Sequence, residues 1–171
     1  MITNKFKKIK LLLLDVDGVL TDGSIIYDDT GHETKQFNAK DGLGVKLLMS
    51  AGIQVGIVTG RRSKALDCRC NDLGIRFIFD GVSDKSRVLD EIQKCTGIEA
   101  DSIAFVGDDI PDLALMRRIG LSITVADAHE IVRAHADWVT LAPGGAGAVR
   151  EVCEAILKAQ GTWDNIVEHM K

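Results

Sequence analysis

Six short apolar runs punctuate the chain: Lys10–Val16, Gln54–Val58, Arg76–Phe79, Ile103–Val106, Leu121–Val125 and Trp138–Leu141. Each is rich in β-branched, leucine or aromatic residues, and most stop at Gly, Asp or Thr, as buried strands do. Helical spacing fills the intervals. Within Asp84–Cys95 the residues Val88, Ile92 and Cys95 fall at i, i+4 and i+7, and within Gly147–Ala159 the residues Val149, Val152, Ile156 and Leu157 share one face. Continuous apolar strands joined by helices predict an α/β fold, with a doubly wound parallel sheet covered on both faces.

One segment breaks the alternation. Ile25-Ile26-Tyr27, the turn Asp28-Asp29-Thr30-Gly31 and then Glu33–Phe37 read as a β-hairpin, bounded at about residues 22–37, projecting from the sheet after the first strand. Such a hairpin buries little within its own subunit and is expected to pack on something else. After Gln160 the apolar period is lost, so the tail, residues 160–171, is expected to be mobile or partner-bound. No repeat, linker or low-complexity stretch divides the chain, and residues 1–171 are read as a single domain.

Composition narrows the class. The 171 residues are 46% hydrophobic, enough for one packed core and against disorder. With 21 Lys+Arg against 25 Asp+Glu the net charge is −4, which argues against a nucleic-acid partner. No apolar run approaches a membrane span, and Asp15 and Asp17 cut short the signal-like start at Lys5–Leu14. A soluble, cytoplasmic protein is expected. Cys68, Cys70, Cys95 and Cys153 lack paired CxxC spacing and read as reduced thiols. His129 and His135 are six apart, not the four that place both over one metal, and Trp138 and Trp163 read as packing residues.

The chemistry lies at strand ends. The first strand runs into Asp15-Val16-Asp17-Gly18-Val19, and the fourth into Gly107-Asp108-Asp109-Ile110-Pro111-Asp112. In a parallel sheet the carboxyl ends of strands form the ligand crevice. Carboxylates gathered there repel one another unless a cation or a shared proton compensates, and Asp15 with Asp108 would suit Mg²⁺. A solvated turn is the bland alternative; a calcium loop is disfavoured because Val19 stands where an oxygen ligand is needed. Thr59-Gly60-Arg61 after the second strand, entering a helix, offers a hydroxyl and a free backbone N–H to a phosphate, and Lys85 opens the next helix.

This order of acid, hydroxyl, lysine and acid resembles the haloacid dehalogenase superfamily of phosphotransferases over nearly the whole chain. Asp15-Val16-Asp17-Gly18-Val19 is similar to its first motif, Thr59-Gly60 to its second, Lys85 to its third, and Gly107-Asp108-Asp109 with Asp112 to its fourth. The resemblance implies a Rossmann-like sheet, Asp15 as nucleophile, and Asp17 as the acid for the leaving alcohol and then the base for water. It implies Thr59 and Lys85 as holders of the phosphoryl group. It also implies Mg²⁺ (Mn²⁺ or Co²⁺ as alternatives) on Asp15, the backbone carbonyl of Asp17, and Asp108. As acid, Asp17 needs neighbours that favour its protonated form.

Superfamily members commonly carry a cap domain; Gly23 to Ile53 holds only the hairpin and one helix, so no cap domain is expected. The resemblance then implies a homo-oligomer, a tetramer built around the hairpins, in which neighbouring subunits roof each site. Asp22-Gly23, Phe37-Asn38-Ala39-Lys40-Asp41-Gly42, Thr59-Gly60-Arg61 and Gly144–Glu151 resemble capless members acting on sugar-acid phosphates in lipopolysaccharide precursor synthesis. That resemblance implies an eight-carbon α-keto sugar-acid phosphate as substrate, bound by Asp17, Gly60, Arg61, Lys85, Phe37 and Asp41. Arg61 suits a carboxylate because its guanidinium fork pairs bidentately, whereas relatives acting on nine-carbon sialic-type acids tend to carry Glu there. Ala146 departs from a tail that often has a basic residue at that place. A nine-carbon acid phosphatase and a catalytically silent interaction domain stay open as alternatives, while Asp17-Gly18 argues against a signalling receiver.

Overall fold

The computed structural model describes residues 2–85 and 87–170. In chain order it contains α1 (Ile2–Lys8), β1 (Leu11–Leu14), β2 (Ile26–Tyr27), β3 (Glu33–Thr34), α2 (Ala39–Ser50), β4 (Gln54–Val58), α3 (Lys64–Leu73) and β5 (Phe77–Phe79). There follow α4 (Val88–Thr96), β6 (Ile103–Val106), α5 (Leu113–Met116), β7 (Leu121–Thr124), α6 (Glu130–His135), β8 (Trp138–Val139), α7 (Ala148–Ala159) and α8 (Trp163–Glu168).

Six strands form one sheet in the order β5-β4-β1-β6-β7-β8, with every pairing parallel. β1 lies in the middle: Leu11–Leu14 pair with Gln54–Ile57 on one side and Ile103–Val106 on the other. The chain winds outward from β1 to β4 and β5, then returns to lay β6, β7 and β8 on the opposite side. β1 and β6 therefore flank the point where the winding reverses, the place where such sheets bind ligands.

The four leucines of β1 show why this strand is continuous and apolar. Leu12 and Leu14 join one core with Val45 and Leu48 of α2, Leu66 of α3 and Val152 and Ile156 of α7. Leu11 and Leu13 face the other, with Leu89 and Ile92 of α4, Leu115 of α5 and Val132 of α6. A strand covered on both faces needs apolar residues at every position, so its pattern runs rather than alternates.

The observed strands lie within the expected runs, trimmed by a residue or more at the ends of four of them. α1, which sequence periodicity did not mark, is held by the burial of Phe6 against the edge of Trp138, with centroids 5.3 Å apart. The tail after Gln160 is helical rather than irregular. Gly161 turns the chain at φ +71° into α8, whose Trp163 lies under Arg150 and Lys158 at 5.6 and 5.1 Å. Trp163 and Ile166, three apart on one face of α8, both pack against the core, so the tail carries a short helical period that sequence reasoning passed over. The hairpin forms as two-residue strands, Ile26–Tyr27 against Glu33–Thr34, and among the described residues nothing else separates β1 from α2. No helix of the described residues is long and apolar enough to cross a membrane.

Candidate active site

Asp15 follows β1 directly and donates its backbone N–H to Val106 O at 2.9 Å, which ties the exit of β1 to that of β6. From there the side chains of Asp15, Asp108 and Asp112 converge, each with a carboxylate oxygen within 4.8 Å of the others. Two glycines make the approach possible. Gly18 has φ +86°, and a Cβ there would run into the Asp108 carboxylate; a Cβ on Gly107 would run into Asp112. The glycines of both acidic motifs are thus required by the closeness of the carboxylates.

Asp112 organises one side. Its Oδ2 accepts the backbone N–H groups of Asp108 and Asp109 at 2.9 and 3.2 Å, and its Oδ1 accepts Lys85 Nζ at 2.5 Å. Asp109 caps the 3₁₀ turn at Ile110–Asp112, with Pro111 inside its first turn. Lys85 also lies 3.0 Å from Asp15 Oδ1, and its ammonium sits over the ring of Phe105. Burial would lower the lysine, but Asp15 and Asp112 hold it above its usual value.

The carboxylates are strained electrostatically. Burial raises Asp15 to about 6, with Lys85 opposing and Asp112 adding to the rise. Burial, followed by repulsion from Asp15, Asp112 and Asp109, raises Asp108 to about 7. Asp108 Oδ1 is buried with no hydrogen-bond partner. A buried, unpartnered carboxylate oxygen facing two further acids is what a hard divalent cation compensates, so the residues present fit one.

Asp15, Asp17, Gly23, Thr59, Gly60, Arg61, Val82, Ser83, Lys85, Asp108, Asp109, Pro111 and Asp112 line a cavity of about 500 Å³. A hollow of about 640 Å³ at the opposite end of β4 and β5 is lined by Met49, Gln54, Arg76 and Phe77 among others, and by no carboxylate. The chemistry belongs to the smaller one. Thr59 is buried, and its Oγ1 accepts the Arg61 N–H at 3.4 Å.

The expected arrangement changes in detail. Gly60 and Arg61 do not enter a helix directly, because α3 starts at Lys64, after the extended N-cap residue Ser63. Lys85 likewise precedes α4 by three residues. Asp17 meets two cations: Lys35 Nζ bonds its Oδ1, and Arg61 Nε lies 3.6 Å from its Oδ2. Arg61 is engaged by the hairpin, donating to Glu33 Oε2 and Tyr27 Oη, each at 2.8 Å. The two cations hold Glu33 down at about 2.

Phe37 and Asp41 are not brought to the cavity. Phe37 packs beside the core under the Arg69 guanidinium, 5.7 Å from the ring centroid. Asp41 lies buried in α2, accepting the Arg150 N–H at 2.7 Å and the Gly147 N–H at 3.3 Å. It caps α7 from a distance, a role that no spacing reveals. Sequence reasoning also missed Lys35 and Glu33. Strand alternation places residues two apart on one face, and that period was the available signal.

A family model for haloacid dehalogenase-like hydrolases matches residues 72–150. The 3-deoxy-D-manno-octulosonate 8-phosphate phosphatase KdsC of Escherichia coli K12 is 44% identical over 160 residues, covering 94% of this chain and 85% of that protein. The crystal structure of the Moraxella catarrhalis 3-deoxy-D-manno-octulosonate 8-phosphate phosphatase, in complex with magnesium ion, phosphate ion and KDO, superposes with a TM-score of 0.97. It is 46% identical, over 99% of this chain and 98% of that one. The cobalt-bound enzyme from Haemophilus influenzae gives a TM-score of 0.93 at 42% identity, over 98% and 99% of the two chains. The acid-lined switch point, the missing cap and these likenesses together place the chain among the haloacid dehalogenase-like hydrolases, in the family of the 3-deoxy-D-manno-octulosonate 8-phosphate phosphatases.

Proposed function

We propose that the chain is a divalent-metal-dependent phosphatase that releases inorganic phosphate from 3-deoxy-D-manno-octulosonate 8-phosphate in lipopolysaccharide precursor synthesis. The observation that carries this reading is the meeting of Asp15, Asp108 and Asp112 around Lys85 at the sheet's switch point. Its likeness to relatives with that activity supports the substrate.

Asp15, Asp108 and the backbone carbonyl of Asp17 would hold Mg²⁺, with Asp112 orienting Asp108 and Lys85. When bound, the cation supplies positive charge that offsets repulsion between an anionic nucleophile and an anionic phosphate. An oxygen of Asp15 attacks phosphorus, the bond from phosphorus to the sugar oxygen breaks, and Asp17 gives its proton to that oxygen. Lys85 and Thr59 steady the phosphoryl oxygens during transfer. Asp17 then takes a proton from the water that attacks the aspartyl phosphate, restoring Asp15 and freeing phosphate. Arg61 receives the sugar's carboxylate once Glu33 yields it.

The chain works in the cytoplasm as a homo-oligomer, read as a tetramer. Ile25, Ile26 and Tyr27 of the hairpin, 42, 47 and 57% exposed, are apolar surface suited to a neighbouring copy. The substrate is tested by a phosphate-release screen over eight- and nine-carbon sugar-acid phosphates and neutral sugar phosphates, with Arg61→Glu alongside. The eight-carbon acid should be the best substrate, and Arg61→Glu should weaken it most; equal rates on neutral sugar phosphates would refute the assignment.

A further inference from the structure

Four charged side chains close a ring at the mouth of the cavity. Asp17 Oδ1 meets Lys35 Nζ, which lies 2.9 Å from Glu33 Oε1; Glu33 Oε2 meets Arg61 Nη2 at 2.8 Å; and Arg61 Nε returns to Asp17 Oδ2 at 3.6 Å. Anions and cations alternate around it. Within this ring the Lys35 side chain is only 2% exposed, whereas that of Arg61 is 43% exposed.

The burial of Lys35 needs a reason. Its hairpin is a pair of two-residue strands whose apolar residues point outward, so no core demands an ammonium there. Ordering a lysine and removing it from water are both costly. What the lysine reaches is Asp17, a carboxylate of the cavity that sits in the turn beyond β1.

We infer that Lys35, held from behind by Glu33, is a positioning residue for Asp17: the hairpin of the same chain sets the carboxylate that protonates the leaving alcohol. This rests on the reading of Asp17 as that acid. In the step concerned, the bond between Asp15 oxygen and phosphorus forms, that between phosphorus and the leaving oxygen breaks, and the Asp17 proton passes to the leaving oxygen. An alkyl ester needs that proton because an alkoxide leaves poorly. A p-nitrophenyl ester does not, because p-nitrophenolate leaves unaided. Losing the lysine therefore penalises one ester and spares the other, whereas general damage to the site slows both.

The test compares Lys35→Met, Lys35→Gln, Lys35→Arg and Asp17→Asn in the Mg²⁺-supplied full chain, by rapid-quench single turnover. The substrates are p-nitrophenyl phosphate and whichever sugar-acid phosphate turns over fastest in the screen. Lys35→Met should slow cleavage of the sugar ester about 10- to 100-fold while leaving the p-nitrophenolate burst within about threefold of the parent. Lys35→Gln should show the same selectivity, which keeps the test open if the methionine variant does not fold, and Lys35→Arg should recover part of the loss. Equal losses on both esters, or none on either, would overturn the role of Lys35. Asp17→Asn separates the two claims: if it is selective and the Lys35 variants are not, only Lys35 is misassigned. If Asp17→Asn is itself unselective, the acid is misassigned and the positioning role falls with it.

Discussion

The carboxylate of Asp41 accepts the backbone N–H of Arg150 at 2.7 Å, across 109 positions of sequence. It couples α2, which follows the hairpin, to α7, which follows the glycine-rich turn at Gly144–Gly147. That turn presses against the first acidic motif: Gly145 N–H donates to Val19 O at 3.0 Å, and a Cβ on Gly144 would collide with Gly18 O.

Replacing Asp41 by Ala should therefore lower stability rather than substrate affinity. Two N–H groups at the start of α7 lose their acceptor, a loss of about 1–3 kcal/mol, or roughly 2–12 °C in thermal midpoint. The check is a thermal melt alongside KM; a raised KM with an unchanged midpoint would return Asp41 to the substrate.

Gly18→Ala should cripple the metal site. At φ +86° a side chain costs about 1–3 kcal/mol, and the added carbon displaces the Asp108 carboxylate. Titration calorimetry should show Mg²⁺ affinity reduced at least about tenfold, since 1.4 kcal/mol is a factor of ten. Unchanged affinity would mean Asp108 does not hold the ion.

The raised carboxylates set a pH dependence. Asp15 at about 6 and Asp108 at about 7 bind protons more tightly folded than unfolded, where the ordinary value is 3.8. Their contribution to stability is fully present below pH 3.8 and is lost as pH rises through 6 and 7. From this pair, the metal-free protein should lose stability between pH 5 and pH 8. Because Mg²⁺ must displace those protons, its affinity should rise over the same interval. Melts of chelated and Mg²⁺-supplied protein across that range should diverge with rising pH; parallel curves would contradict the assignment.

Ile26→Asp should weaken the assembly while sparing the ring around Asp17, because Ile26 is 47% exposed and takes no part in that ring. Sedimentation velocity should show smaller species than the parent forms. An unchanged distribution would place the interface elsewhere.

The sheet was legible because a strand buried on both faces must be apolar throughout, so Leu11–Leu14 and Ile103–Val106 stand out from the amphipathic segments around them. Asp15, Thr59 and Asp108 were legible because each lies just beyond a strand end, and Lys85 because it follows in a fixed order, in the loop between β5 and α4. Asp41 and Phe37 share a run with the resemblance yet serve packing and capping, a distinction that only tertiary contacts make. Lys35 and Glu33 were hidden for the converse reason. Their spacing of two sets them on one face of the hairpin, but the groups they meet, Asp17 and Arg61, come from other parts of the chain, which the spacing does not record. α8 was hidden because it is only six residues long, too short for the spacing of Trp163 and Ile166 to stand out as a period.

The central claim, that Asp15 receives the phosphoryl group, is tested most directly by phosphate release from 3-deoxy-D-manno-octulosonate 8-phosphate with Asp15→Asn in saturating Mg²⁺. Loss of the nucleophile should cut turnover at least about 10³-fold with the fold intact by circular dichroism. Turnover within tenfold of the parent would show that phosphorus is attacked by some other group.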